Sequence, residues 1–240
     1  MILLQQIKPF AQGGNRLCFV HPEDANLCIK VRRPDFTLED LRRKKGFPKN
    51  LRRLSAFDDN LEEYQVIHSL EKVCGDTIYR HIYRCYEFVE TDFGPGLVTE
   101  LIRDADGRVS VSLKQYLWAE GYHSACQQAV GELTHFWLAQ AVPSRELLTH
   151  NIVVQLDDIG NIVRLVVVDG LGASTLIPFK WLPRMLQKRK IQAKIKRLND
   201  RISDFLDHCA EGREPSRVGM LMHRDETAKE FISGSCQSKR

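Results

Sequence analysis

The chain has 240 residues, 43% hydrophobic and 28% charged, with 35 lysines and arginines against 31 acidic residues for a net charge of +4. That balance excludes a largely disordered chain, and no stretch approaches the ~18 uninterrupted apolar residues of a membrane span. The opening MILLQQIKPFAQGG has too short an apolar run and no basic flank for a signal peptide, so the chain reads as cytoplasmic.

Residues 7–31 alternate apolar and polar positions around a Gly13-Gly14 turn and a polar His21-to-Asn26 turn, which predicts three short antiparallel strands. A basic stretch from Arg32 to Arg53 follows, punctuated by Pro34 and Pro48. The spacing of Leu61, Tyr64, Ile67 and His68 then predicts a helix entered through caps at Asp58-Asp59-Asn60. Residues 78–102 read as a hairpin turning at Phe93-Gly94-Pro95-Gly96, followed by helices over SLKQYLWAEG and 124–141. A second hairpin turns at Asp158–Asn161, and residues 178–209 form a strongly amphipathic helix. Trp118, Trp137 and Trp181 fall in helical patterns and are expected in the core. The segregation of strands and helices predicts an α+β fold in two lobes: a β-rich lobe over 1–102, a reduced helical lobe with a hairpin over 103–212, and a loose polar tail over 213–240.

The cysteines are seven and scattered, without a C-x-x-C pair or zinc-finger spacing, and read as reduced thiols. The chemistry is carried elsewhere. Phosphoryl transfer from ATP needs a glycine turn near phosphate, a lysine, a metal-holding carboxylate and a group that orients the nucleophile. Candidates for each occur in the order of the protein-kinase fold. Gly13 and Gly14 stand between the first two strands, where a phosphate-covering loop would lie, although a Gly-Gly pair is also a plain β-turn. Lys30 ends Cys28-Ile29-Lys30, like the V-A-I-K strand lysine. Glu63 on the following helix has Val66, Ile67 and Leu70 at +3, +4 and +7, a phase that turns it toward Lys30; Glu62 is the competing carboxylate. Glu146 and Asn151 keep the spacing of the catalytic-loop base and its magnesium-binding asparagine, and Asp169 ends an apolar strand like the D-F-G aspartate. Backbone groups of Glu100 and Ile102 would meet an adenine edge, with Thr99 at the back. The expected cofactors are therefore ATP and magnesium, held by Asn151 and Asp169.

The chain departs from the kinase motifs at three places. Glu146 replaces aspartate, Leu148 replaces the loop lysine, and Gly170 replaces the phenylalanine after Asp169. No A-P-E motif follows, and only residues 173–178 remain of an activation segment, which favours a small-molecule, sugar or lipid-linked acceptor over a peptide. The segments Gly13-Gly14-Asn15-Arg16, His21-Pro22-Glu23-Asp24-Ala25 and Ser174-Thr175-Leu176-Ile177-Pro178 resemble the YrbL-type PhoP regulatory network family over roughly residues 7–200. That resemblance implies a bacterial protein of kinase-like fold allied to lipopolysaccharide-core sugar kinases. The competing class is a pseudokinase-like regulator, motivated by Leu148 and by the basic stretches 32–53 and 188–197. Charge runs of this kind are usually solvated faces, but these stretches would dock an anionic membrane, a lipopolysaccharide precursor or RNA, although nucleic acid is not the expected partner.

Overall fold

The computed structural model describes residues 1–172 and 179–222. Its first part is built from β1 (Ala11–Gln12), β2 (Arg16–Val20), β3 (Leu27–Arg32), helix α1 (Leu38–Lys45), helix α2 (Asp59–Cys74), β4 (Cys85–Thr91) and β5 (Gly94–Glu100). The five strands form one antiparallel sheet in the order β1-β2-β3-β5-β4, with Cys18 opposite Lys30 and Lys30 opposite Leu97. The turn from β2 to β3 is closed by Asp24, whose carboxylate accepts from Asn26 N–H at 2.8 Å and whose carbonyl accepts from Leu27 N–H at 3.0 Å.

Helix α2 begins where Asp58 accepts from the N–H groups of Asn60 and Leu61 at 3.0 and 3.2 Å. It buries Asn60, Glu63 and Ile67, a three-and-four spacing that places one face against the sheet. The basic stretch holds α1, a helix that its charge run conceals. The local signal for it is a capping box, because Thr37 and Asp40 cap each other reciprocally. Only Leu41 of this helix is buried, so the charged residues around it face water.

Residues 78–84 correct the predicted strand. Gly75–Arg80 is a 3₁₀ turn, and strand pairing begins only at Cys85. Ile78, Tyr79, Ile82 and Tyr83 are all buried, which an exposed edge strand cannot arrange. The segment instead wedges against the second hairpin: His81 O accepts from Val167 N–H, and its Nδ1 lies 2.9 Å from Leu165 O.

The second part contains α3 (Leu113–Glu120), α4 (Ser124–Ala139), the hairpin β6 (Ile152–Leu156) and β7 (Ile162–Val167), and α5 (Arg184–Ala210). Leu165, Val166 and Val167 are fully buried, and α5 contributes Ile191, Leu198 and Ile202 to the same core. Trp137 lies at its centre, with its indole N–H donating to Ser144 Oγ at 3.1 Å. The expectation for the other tryptophans fails: Trp118 is 41% and Trp181 72% exposed. Trp118 is off the face of α3 that buries Leu113, Tyr116 and Leu117, and Trp181 ends the short 3₁₀ turn Phe179–Trp181. The fold is thus α+β, with a sheet-rich first part and a helical second part. A lysine on β3 paired with a glutamate on α2 is the ion pair found in protein-kinase N-terminal lobes, although here α1 intervenes between the two elements.

Candidate active site

A cavity of about 310 Å³ lies between the sheet and the helical part. Gly13, Gly14, Arg16, Lys30, Asn151 and Asp169 line its polar end; Cys18, Cys28, Thr99, Leu101 and Val109 line its apolar end. Turn chemistry fixes the rim. Gly13 N–H donates to Arg16 O at 2.9 Å, while a Cβ at Gly14 would meet nothing within 4 Å. Gly14 is therefore the open side of this turn.

Glu63 is the hub of the polar end. It is 1% exposed and accepts from both Nη atoms of Arg16 at 2.9 Å, from Tyr83 Oη at 2.6 Å and from Gly170 N–H at 3.1 Å. Lys30 Nζ stands 3.5 Å from Glu63 Oε2, 2.7 Å from Val168 O and 3.8 Å over the Tyr83 ring. Burial alone would raise the Glu63 pKa, but the charges of Arg16 and Lys30 and the bonds from Arg16 and Tyr83 outweigh it and hold the carboxyl well below its usual range. Burial would depress Arg16, yet Asp169 and Glu63 raise it, so the guanidinium is permanently charged.

Arg16 is the residue that sequence reasoning missed. Besides Glu63 it donates to Asn60 Oδ1 at 3.0 Å, and its Nη2 lies 2.5 Å from Asp169 Oδ1. Asn60 in turn donates to Lys30 O at 2.8 Å. One network therefore joins β2, β3, α2 and the residues after β7. Glu62, the competing carboxylate, faces away from Lys30 and pairs with Arg145, which also meets Asp59 at 2.5 Å.

The loop before β6 is stitched to the chain after β7. Arg145 N–H donates to Gly170 O at 2.8 Å, Val168 N–H to Asn151 O at 2.8 Å and Gly172 N–H to Pro143 O at 3.0 Å. Gly172 has φ +111°, a conformation that favours glycine, and a Cβ there would also displace the Glu62 carboxyl group, which stands 2.5 Å from it. These bonds bring Asn151 and Asp169 to one cavity wall. Glu146 is placed differently from the sequence expectation. It does not line the cavity, and its oxygens meet Arg197 at 2.8 Å and Arg201 at 3.2 Å on α5. The reason is the i, i+4 spacing of those arginines, which makes one guanidinium face toward the loop. His150 lines the cavity instead, and burial together with nearby Lys114 keeps its imidazole below the usual pKa.

At the apolar end, Glu100 N–H is bound to Arg84 O at 2.8 Å and Ile102 O accepts from Ser110 N–H at 3.0 Å. Residues 213–222 are not the loose tail expected. Buried Lys114 donates to Ser216 O, Ser216 Oγ and Val218 O at 2.7, 2.8 and 2.9 Å. Met222 N–H donates to Phe10 O at 2.9 Å, and Leu221 packs against the cluster of Phe10, Val20, Cys28, Leu101 and Val109. The segment thus walls the cavity from Lys114 to the first strand. Residues 173–178, read from the sequence as what remains of an activation segment, and the tail beyond Met222 lie outside the described residues.

Residues 2–203 match the family described as PhoP regulatory network protein YrbL. The chain belongs to that family. It is 29% identical over 199 residues to the YrbL proteins of Escherichia coli (strain K12) and Shigella flexneri, an alignment covering 79% of this chain and 84% of each relative. Among solved structures it is similar to Rad53 1-466 in complex with AMP-PNP, with a TM-score of 0.44 and 13% identity. That match covers 97% of this chain and 52% of the other, so the chain spans about half the length of that structure. No helix among the described residues is long and apolar enough to cross a membrane.

Proposed function

We propose that this YrbL-family chain binds ATP in the cleft and transfers its terminal phosphoryl group to a hydroxyl of a small-molecule, sugar or lipid-linked acceptor. One observation carries the reading: Lys30, fixed by Glu63, opens on the same cavity as Asp169 and Asn151. Lys30 would meet the α/β-phosphates, and the open Gly14 backbone would cover them. The Glu100 carbonyl and Ile102 N–H would meet the base edge, with Thr99 behind it.

Asn151 and Asp169 present an amide and a carboxylate oxygen, the hard donors that magnesium shares with nucleotide phosphates. The donor set fits one such ion, since Asp169 Oδ1 is already engaged by Arg16 while the side chain remains 39% exposed. Magnesium held there would neutralise charge on the phosphate oxygens. Loss of the lysine should remove a charge-assisted contact, so Lys30→Met is expected to weaken ATP binding by about 10- to 100-fold in calorimetric titration. Undiminished binding in both Lys30→Met and Asp169→Ala would sink the site assignment.

A second reading, nucleotide binding without turnover, is favoured by Glu146. Its carboxylate is bound by two arginines, and Leu148 supplies no cation beside it. A screen of sugar and lipid acceptors with labelled ATP separates the two readings. If Glu146 orients the acceptor, Glu146→Gln lowers transfer by about 10²- to 10⁴-fold. If wild type binds ATP and labels no acceptor, the regulator reading takes its place.

A further inference from the structure

Arg16 is buried beside the phosphate site and is engaged from three directions. Its exposure is 6%, and its nitrogens are shared among Glu63, Asn60 and Asp169. The contact with Asp169 is the informative one, because Asp169 is the carboxylate expected to hold metal. Two cations, Arg16 and Lys30, face two anions, Glu63 and Asp169, so the cluster is neutral without any added ion. A guanidinium differs from a dissociable metal in being covalently present and permanently charged, and its planar fork here spans the two carboxylates of Glu63 and Asp169. Protein kinases hold two magnesium ions at the corresponding place.

We propose that Arg16 is a built-in counter-cation of the phosphate site. It stands where a second metal ion would engage Asp169, so that the chain binds nucleotide with at most one divalent ion and retains binding with none. This rests on the nucleotide reading above. It assigns to Arg16 a role in cation dependence, and the role is independent of whether phosphoryl transfer follows.

The test is the ATP dissociation constant of the full chain in excess magnesium and in excess EDTA, for wild type, Arg16→Lys and Arg16→Gln. Wild type is expected to weaken by less than about tenfold on chelation, and Arg16→Gln by more than about a hundredfold. Arg16→Lys keeps the charge but lacks the fork that spans Glu63 and Asp169, so it falls between them. Wild-type binding that EDTA abolishes overturns the inference while leaving the nucleotide reading intact. Absence of ATP binding in both conditions removes the nucleotide reading and this inference with it. Should Arg16→Gln not fold, as judged by its melting transition, the wild-type comparison alone decides.

Discussion

Replacing Glu63 by alanine is expected to lower stability by about 3–5 kcal/mol and the melting temperature by about 6–20 °C. The size follows from two buried cations that would be left with one anion, Asp169, which pairs with Arg16 but not with Lys30. Arg16 and Lys30 are 6% and 5% exposed, and neither could regain bulk water without opening the cleft. Tyr83 Oη and Gly170 N–H would lose their acceptor at the same stroke. Glu63→Gln keeps the volume and one acceptor, so it isolates the charge and should recover part of the loss. Glu62→Gln serves as the contrast, because Arg145 retains Asp59 and the pair is nearer solvent. A denaturation series in which Glu63→Ala costs no more than Glu62→Gln would show that the cluster is not buried as described.

The same residue sets a pH dependence. The folded pKa of Glu63 is depressed below the ordinary 4.5, so its contribution is fully present above that value and is lost as pH falls through the folded pKa. The stability gap between wild type and Glu63→Gln should therefore be flat from neutral pH down to about 5 and shrink only on stronger acidification. Urea denaturation of both proteins across that range checks the sign. A gap that widens on acidification contradicts it.

Several parts of this cluster are legible in the sequence. The Asp24 turn and the alternation of β2 and β3 are local, so the strand carrying Lys30 can be read directly. Glu63 follows from the helical phase of Val66, Ile67 and Leu70. Arg16 cannot be read, because an arginine after a Gly-Gly-Asn turn carries no local signal of burial. Its inward position depends on α2 crossing the sheet so that Asn60 and Glu63 reach β2, more than forty residues away in sequence. Glu146 shows the opposite case: its spacing to Asn151 is visible, but the arginines that occupy it lie on α5, over fifty residues later. Ile78–Tyr83 likewise misleads: its isoleucines and tyrosines suggest a strand, but the 3₁₀ turn Gly75–Arg80 and the residues after it bury Ile78, Tyr79, Ile82 and Tyr83 while leaving Arg80 exposed. Local periodicity and turn chemistry specify elements; ion pairs across the cleft depend on how those elements meet.

Gly219→Val is expected to unseat the segment Ser216–Met222 and to weaken ATP binding by about tenfold. Gly219 has φ +75°, and a Cβ there would stand 2.0 Å from His150 Cβ, a backbone-anchored atom that cannot swing aside. The substitution thus combines a disfavoured conformation with a direct clash, and the weakest structure at hand must yield. That structure is the segment itself, held by Lys114 at one end and by the Met222–Phe10 bond at the other. Amide exchange at Met222 should accelerate while the Ile29 and Val98 amides in the sheet stay protected. The cleft responds in a definite direction, because about 310 Å³ of cavity remains with the segment in place. Leu221 therefore acts as a wall of the apolar end and not as its filling, and removing that wall returns apolar surface to water. Truncation after Gly212 should reproduce the loss, and Lys114→Ala should give a smaller one. If ATP binds more tightly to either of the first two variants, the segment obstructs the cleft instead of completing it, and the role assigned to Leu221 is reversed.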